Sequence, residues 1–364
     1  MKIGILTFHC AHNYGAVLQA YALVTYLRKR GDDAEIIDYR PKSLVKSHGI
    51  FPYNKFVSKT FKGKIKYLLH ILPYLNVRRI RARKMSSFIE SLPLSSKKYT
   101  EVDKVLHGYD IVICGSDQVW NTDITHGQDL FFTNLIKSEA RFVSYAASSE
   151  INERTLKDMQ EIISRFDVVS VREQALKQAL ERNSFRKEIY KVIDPVFLLT
   201  PREWRKVAKY PQETAPYLLV YQVRRDHRIN MLAKKISEKY SLKIIELTAE
   251  ADAITNERNV VRTASPQEFL GYFANAKFVL TSSFHGTAFA TIFGIPSKTV
   301  LFKSPGDGRA MDLIEFLNIK NATIPIDEQD DIVYESQKVD YQRKVEESKK
   351  FLNKMLHEKN SDHK

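Results

Sequence analysis

The sequence predicts an α/β protein of two units with parallel sheets, closed by a C-terminal helix. Three observations carry that expectation. A strand, a polar turn, a helical stripe and a second strand follow one another between Lys2 and Tyr39. A second alternating series of strands and helices begins after residue 200. Near the end, Tyr341, Val345, Ser348, Leu352 and Met355 recur at alternating i+4 and i+3 steps, the apolar stripe of an amphipathic helix.

The first strand is the apolar run Lys2 to Thr7, and Phe8 to Gly15 is a polar turn. Ala16 to Arg30 carries Val17, Leu18, Tyr21, Val24 and Leu27 on one helical face, and Gly31 suits the residue just past the helix end. Ala34 to Tyr39 is the second strand, which completes a βαβ unit and therefore a parallel pair. Ile111 to Cys114, Phe142 to Tyr145, Val168 to Val171 and Tyr190 to Ile193 read as further strands. The pattern pauses near Asp194-Pro195. The second series has strands at Tyr217 to Val223, Leu242 to Thr248, Phe278 to Thr281 and Lys298 to Phe302. Its helices are near Ile229 to Lys239, Pro266 to Ala274, Phe284 to Phe293 and Ala310 to Leu317. The expected domains are residues 1–199, with a basic insertion at about 40–90, then 200–325, then a C-terminal helix and frayed tail over 326–364. Two such units joined near residue 200 imply a cleft.

Composition narrows the class. The 364 residues are 43% apolar and 27% charged, a globular profile. Two cysteines, Cys10 and Cys114, make no disulfide framework. The apolar stretch Tyr67 to Leu75 is too short to span a bilayer and contains His70 and Pro73. The run Ile3 to Phe8 is too short for a secretory signal, so a cytoplasmic protein is expected. The net charge of +14 is concentrated: thirteen Lys or Arg and no acid lie between Arg40 and Lys84.

In parallel sheets ligands bind beyond the carboxyl ends of the strands. There the sequence places His9, Cys10, His12, Asn13 and Gly15; then Ser116 and Asp117; then Arg172 and Glu173; then Ser282, Ser283, His285 and Gly286. The turns at Asn13-Tyr14-Gly15 and Ser282 to Thr287 open helices, whose N–H groups and dipole favour an anion, and Ser283 is a candidate N-cap. No GxGxxG or P-loop pattern occurs. Position alone leaves His285 open between helix-start packing and acid–base chemistry. Taken alone, Arg172 reads as a surface partner of a nearby acid and Asp117 as a helix cap. His9, Cys10 and His12 have metal-like spacing but lack a second ligand pair, and a substrate-lining loop is the reading preferred.

At these residues the chain resembles the polysaccharide pyruvyl transferase family. The resemblance rests on GILTFHCAHNYGAVLQAYAL (Gly4 to Leu23), VICGSDQVWN (Val112 to Asn121), VSYAASS (Val143 to Ser149), SVRE (Ser170 to Glu173), DPVFLL (Asp194 to Leu199), the long stretch Ser265 to Pro296 and GRAMDLIEFL (Gly308 to Leu317). It implies a GT-B-like fold, two Rossmann-like domains facing a cleft. It also implies transfer of pyruvate from phosphoenolpyruvate to sugar hydroxyls of a bacterial surface or exopolysaccharide precursor, forming a ketal. The family histidine falls on His285, the arginine of the SxRE-like piece on Arg172, and the acid of a GGGD-like piece on Asp117, with Ser116 in place of a glycine. Where relatives carry an arginine two residues before the histidine, this chain has Ser283, so either a cation comes from elsewhere, Arg309 or Arg224, or the donor differs.

The expected site is therefore His285 and Asp117 for proton transfer, with Arg172, Ser283, Gly286, Asn13, Gly15, His12, Ser116 and Arg309 around the substrates. No cofactor or metal is expected. The alternative is a glycosyltransferase with a nucleotide-sugar donor on the same architecture. The partners expected are phosphoenolpyruvate, a sugar or lipid-linked oligosaccharide acceptor and, through the basic segment, the anionic inner face of a membrane rather than nucleic acid.

Overall fold

The computed structural model describes residues 1–42, 44–45, 60–100, 105–125, 138–151, 159, 163–182, 188–222, 225–248, 259–327 and 339–357. The chain forms two compact units. One comprises Met1–Lys55, Ile89–Leu198 and Gln342–Lys364; the other comprises Phe56–Phe88 and Leu199–Tyr341.

In the first unit, β1 (Lys2–Leu6), β2 (Asp33–Tyr39), β3 (Leu94–Tyr99), β4 (Ile111–Cys114) and β5 (Arg141–Ser144) form a sheet in the order β3-β2-β1-β4-β5. All its pairings are parallel. A parallel pair, β6 (Val169–Val171) and β7 (Ile189–Lys191), continues it through the bridges Val143 to Val168 and Ala147 to Val171. The helix Tyr14–Lys29 makes the crossover from β1 to β2 and buries Val17, Leu18, Leu23, Val24 and Leu27. Gly31 follows it at φ 93°, the left-handed conformation anticipated for the residue past its end. β3 was not anticipated. Its sequence LSSKKY buries only Ser95 and Tyr99, so an edge strand without apolar alternation is invisible to a period-2 reading.

In the second unit, β8 (Tyr217–Gln222), β9 (Lys243–Thr248), β10 (Val260–Val261), β11 (Phe278–Thr281), β12 (Ser297–Leu301) and β13 (Thr323–Pro325) form an all-parallel sheet in the order β10-β9-β8-β11-β12-β13. All six residues of β8 are buried, which is why it reads as a continuous apolar run. Val223, expected to end it, lies outside the described residues. The helix Pro266–Asn275 opens with a capping box of Ser265 and Glu268 and with proline at its first position. The helix Pro201–Val207 repeats the device with Thr200 and Glu203.

Two parts of the chain depart from the expected domain boundaries. Within the basic segment, Phe61–Ile71 and Leu75–Glu90 are helices about a short 3-10 turn, and Phe56–Phe88 belongs with the second unit. The reason is local. Buried Arg81 donates to the Thr248 carbonyl at 2.9 Å, and Lys84 Nζ sits 2.8 Å from Glu268 Oε2. The C-terminal helix Gln342–His357 buries Val345, Ser348, Leu352 and Met355 as the stripe requires, and it belongs to the first unit. There Ser348 Oγ accepts the Ile193 amide at 2.9 Å, and Phe351 packs on Tyr190 with ring centroids 4.7 Å apart. Among the described residues no helix is long and apolar enough to cross a membrane.

Candidate functional site

Each sheet reverses its strand order once, between β1 and β4 in the first unit and between β8 and β11 in the second. The loops beyond the carboxyl ends of those strands are where such folds place ligands. They carry the expected site residues other than Arg172, which follows β6, and Arg309, which follows β12.

The first edge is a polar network that turns inward. Gln19, a polar interruption in the apolar helix face, donates from Nε2 to Thr7 Oγ1 at 2.7 Å and accepts the Ser116 amide at 3.3 Å. Thr7 Oγ1 donates to the Ser116 carbonyl at 3.0 Å. These bonds tie the turn after β1 to the turn after β4. Gly115 adopts φ 116°, and a Cβ there would stand 2.5 Å from the Tyr145 carbonyl oxygen, so the turn admits only glycine. Asp117 and Ala146 also adopt left-handed backbone, at φ 71° and 52°. Non-glycine residues held there are concentrated at functional sites.

Arg172 is the centre of this edge and is 4% exposed. Its Nη1 donates to Asp194 Oδ2 at 2.7 Å, its Nε to Glu173 Oε1 at 2.7 Å and its Nη2 to Ser148 Oγ at 3.1 Å. Asp117 Oδ1 is 4.0 Å from Nη2. Burial would lower the guanidinium's proton affinity, but Glu173, then Asp194 and Asp117, raise it above its ordinary value. One cation thus faces three carboxylates. Read alone from the sequence, Arg172 was a surface partner of an acid; it is a buried one, because β6 delivers it between the turns after β4 and β5. Asp117 caps no helix: Val119 N donates to its carbonyl within a tight turn, and its side chain faces Arg172. Ser116 Oγ donates to the Ala146 carbonyl at 2.8 Å and lies 3.3 Å from Asp194 Oδ2.

Asp194 is the member of this network that sequence reasoning missed; its signal was a lone acid in an otherwise apolar run. Gln118 is another. It is 7% exposed, and its Nε2 has no hydrogen-bond partner among the described residues.

The loop after β1 places His9 in the interior. Its Nε2 lies 3.0 Å from Asp38 Oδ1 and its Nδ1 3.3 Å from the Thr7 carbonyl, so it is turned away from any ligand shared with Cys10 or His12. Arg40 Nε joins Asp38 at 2.6 Å. Burial alone would push Asp38 up, but the bonds from His9 and Arg40 outweigh it and hold the carboxyl below the usual carboxylate range. Burial pushes the Cys10 thiol up to about 12. His12 is half-buried. Asn13 is exposed and caps its helix by accepting from the Gly15 and Ala16 amides at 2.9 and 3.4 Å. Two of the N–H groups expected to meet an anion are therefore taken by the protein.

The second edge is built differently. Ser283 caps the helix Phe284–Phe293 by accepting the Gly286 amide at 3.4 Å, again taking a donor expected for an anion. Gly286 is required because the helix presses on the sheet: a Cβ would stand 2.2 Å from Thr281 Oγ1 and 3.0 Å from Tyr221 Cδ1. His285, in the first helical turn, is 8% exposed, and its ring lies edge-on to Phe284. Beyond the adjacent strand β12, the helix Gly308–Phe316 starts at Asp307, which makes no side-chain cap bond. Arg309 is in its first turn, half-buried, with no acidic partner among the described residues. Lys303, exposed, stands between β12 and that helix. Arg224 lies outside the described residues. Neighbouring Arg225 is held by Glu246 at 2.5 and 2.7 Å.

These are the surroundings of motifs that a family pattern recognises: the model of the polysaccharide pyruvyl transferases matches residues 13–297. The chain belongs to the polysaccharide pyruvyl transferase family. That places it among transferases acting on a sugar or polysaccharide acceptor. No curated protein matches the chain. Among solved structures it is similar to a UDP-N-acetylglucosamine 2-epimerase from Rickettsia bellii, at 12% identity and a TM-score of 0.50 over 98% of this chain and 96% of that one. A UDP-GlcNAc 2-epimerase from Methanocaldococcus jannaschii shows 14% identity and a TM-score of 0.44 over 99% and 94%. The E. coli heptosyltransferase WaaC with ADP shows 13% and 0.44 over 98% and 100%. The Rickettsia bellii likeness shows the fold, the GT-B type with two Rossmann-like units, and nothing of this pyruvyl transferase family member's substrate.

Proposed function

We propose that this chain transfers the pyruvate moiety of phosphoenolpyruvate to two hydroxyls of a sugar in a bacterial polysaccharide precursor, in the cytoplasm, forming a ketal and releasing phosphate. The observation that carries the reading is the contrast in charge. The donor bears a carboxylate and a phosphate, and the second edge offers Arg309 and Lys303 after β12, the strand paired with β11, which leads into the helix that holds His285. Arg309 supplies the cation that Ser283 does not, because no carboxylate among the described residues neutralises it. The planar guanidinium fork suits a phosphate or carboxylate.

In the proposed chemistry His285 delivers a proton to the methylene carbon, leaving an oxocarbenium-like centre next to the carboxylate. A sugar hydroxyl adds there, and a second displaces phosphate. One hydroxyl proton ends on the new methyl group and the other leaves with phosphate, so no oxidant or reductant is needed. Asp117, whose side chain is 13% exposed, is the base or orienting carboxylate for the acceptor. The Nε2 of Gln118 is a buried donor awaiting an oxygen, and leaving it unmet costs about 1–3 kcal/mol.

The test is phosphate release from phosphoenolpyruvate with a panel of sugar acceptors, scored also by the mass of the ketal. His285→Ala should lower the rate about 10²–10⁴-fold with the melting temperature unchanged. Wild-type turnover by that variant removes His285 from the chemistry. Turnover of a UDP- or GDP-sugar with phosphoenolpyruvate ignored would instead establish the glycosyltransferase reading.

A further inference from the structure

The basic segment is not consumed by the proposed chemistry. No acid occurs between Thr60 and Ile89. Its inward face is spoken for: Tyr67, Ile71, Arg81, Met85 and Phe88 are buried. Its outward face is of two kinds. Leu68 and Leu72, one helical turn apart, are 38% and 56% exposed, and Ile80 on the next helix is 37% exposed. They are three of the eight large apolar side chains exposed among the described residues. Lys62 and Lys66, also one turn apart, and Arg79 and Arg83 are exposed, and none of these four has an acidic partner among the described residues.

We propose that this helix pair is a docking surface for an anionic lipid bilayer, with Leu68, Leu72 and Ile80 entering the interface and Lys62, Lys66, Arg79 and Arg83 meeting lipid headgroups. A bilayer asks for apolar side chains and unpaired cations side by side on an exposed amphipathic helix. Single-stranded nucleic acid asks for aromatic platforms, and here Tyr67 is buried beneath the surface while the exposed apolar groups are aliphatic. The proposal does not depend on the donor or on His285.

The experiment is vesicle flotation of the full chain at low and high salt. Vesicles are of neutral phosphatidylcholine, or of the same lipid with phosphatidylglycerol added. Flotation with the anionic vesicles at low salt alone is expected. The double charge reversal Lys62→Glu with Lys66→Glu should weaken partitioning about 25-fold or more, at about fivefold per cation lost. Leu68→Ser with Leu72→Ser should abolish flotation while leaving a wild-type melting curve. Protein left at the bottom of the gradient at low salt overturns the proposal, as does equal flotation with neutral vesicles or by both double variants. Capture of a single-stranded oligonucleotide, or a dimer lost in the Leu68→Ser, Leu72→Ser variant, with vesicles ignored, assigns the surface to those occupants instead. Anionic vesicles bound only by a variant that has lost its melting transition reports exposed core and overturns it too.

Discussion

The carboxyl edges of the two sheets are built on one plan and charged on opposite ones. Both lie beyond the carboxyl ends of parallel strands, and both carry an arginine. In the first edge the cation is Arg172, enclosed by Asp194, Glu173 and Asp117. In the second it is Arg309, with no acid in hydrogen-bond or ion-pair contact among the described residues. An arginine in a ligand-facing loop is thus not by itself an anion receptor; what decides is how much of its charge the protein has already spent. The first edge uses its guanidinium as a clamp that holds three turns together, with surplus negative charge. The second leaves its arginine without a carboxylate among the described residues.

Substitutions can break that contrast. The largest effect is expected from Asp194→Ala, which strips the fully buried partner from a buried guanidinium. Loss of one member of such a pair costs about 3–5 kcal/mol, read as a lowered denaturant midpoint. A loss below about 1 kcal/mol would mean that Glu173 alone holds Arg172 and that the first edge is not a clamp. Next is Gly286→Ala, whose added methyl meets Thr281 and Tyr221 in the second sheet. It should cost about 1–3 kcal/mol and shift the helix that carries His285, lowering kcat with it. A variant as stable and as active as the parent would show that the helix has room to retreat. The smallest effect sharpens the comparison most. Arg309→Gln should raise KM for phosphoenolpyruvate about tenfold, near 1.4 kcal/mol, without moving the melting temperature. An unchanged KM would return the anion to the first edge.

The sequence shows the strands that are buried on both faces and the helices that begin with a cap and a proline, because burial and capping leave local traces. β11, with its four residues Phe278–Thr281, and the helix Phe284–Phe293 behind Ser283 stand where their patterns placed them. β3 and the two-residue β10 were illegible: β3 is an edge strand with polar outward positions, and two valines are too short a run to show a period. In the site the residue types were legible and the pairings were not. Arg172 and Glu173 are adjacent in sequence, but Asp194 is brought to them by β6 and β7 pairing in parallel, a contact no local pattern encodes. The same holds for His9, which sits in a metal-like run yet finds its partner 29 residues away in Asp38. The basic segment was legible as a charge anomaly, whereas its attachment to the second unit depended on Arg81 and Lys84 reaching Thr248 and Glu268.

The closing helix has a consequence for how the protein is made. Because Gln342–Lys364 completes the unit that Met1 begins, and Phe56–Phe88 completes the other, the polypeptide passes between the units four times. Neither unit is one uninterrupted stretch of chain. A ribosome therefore releases the seat for Ser348 and Phe351 long before it supplies them, so that part of the first unit must wait, partly uncovered, for side chains made more than a hundred residues later.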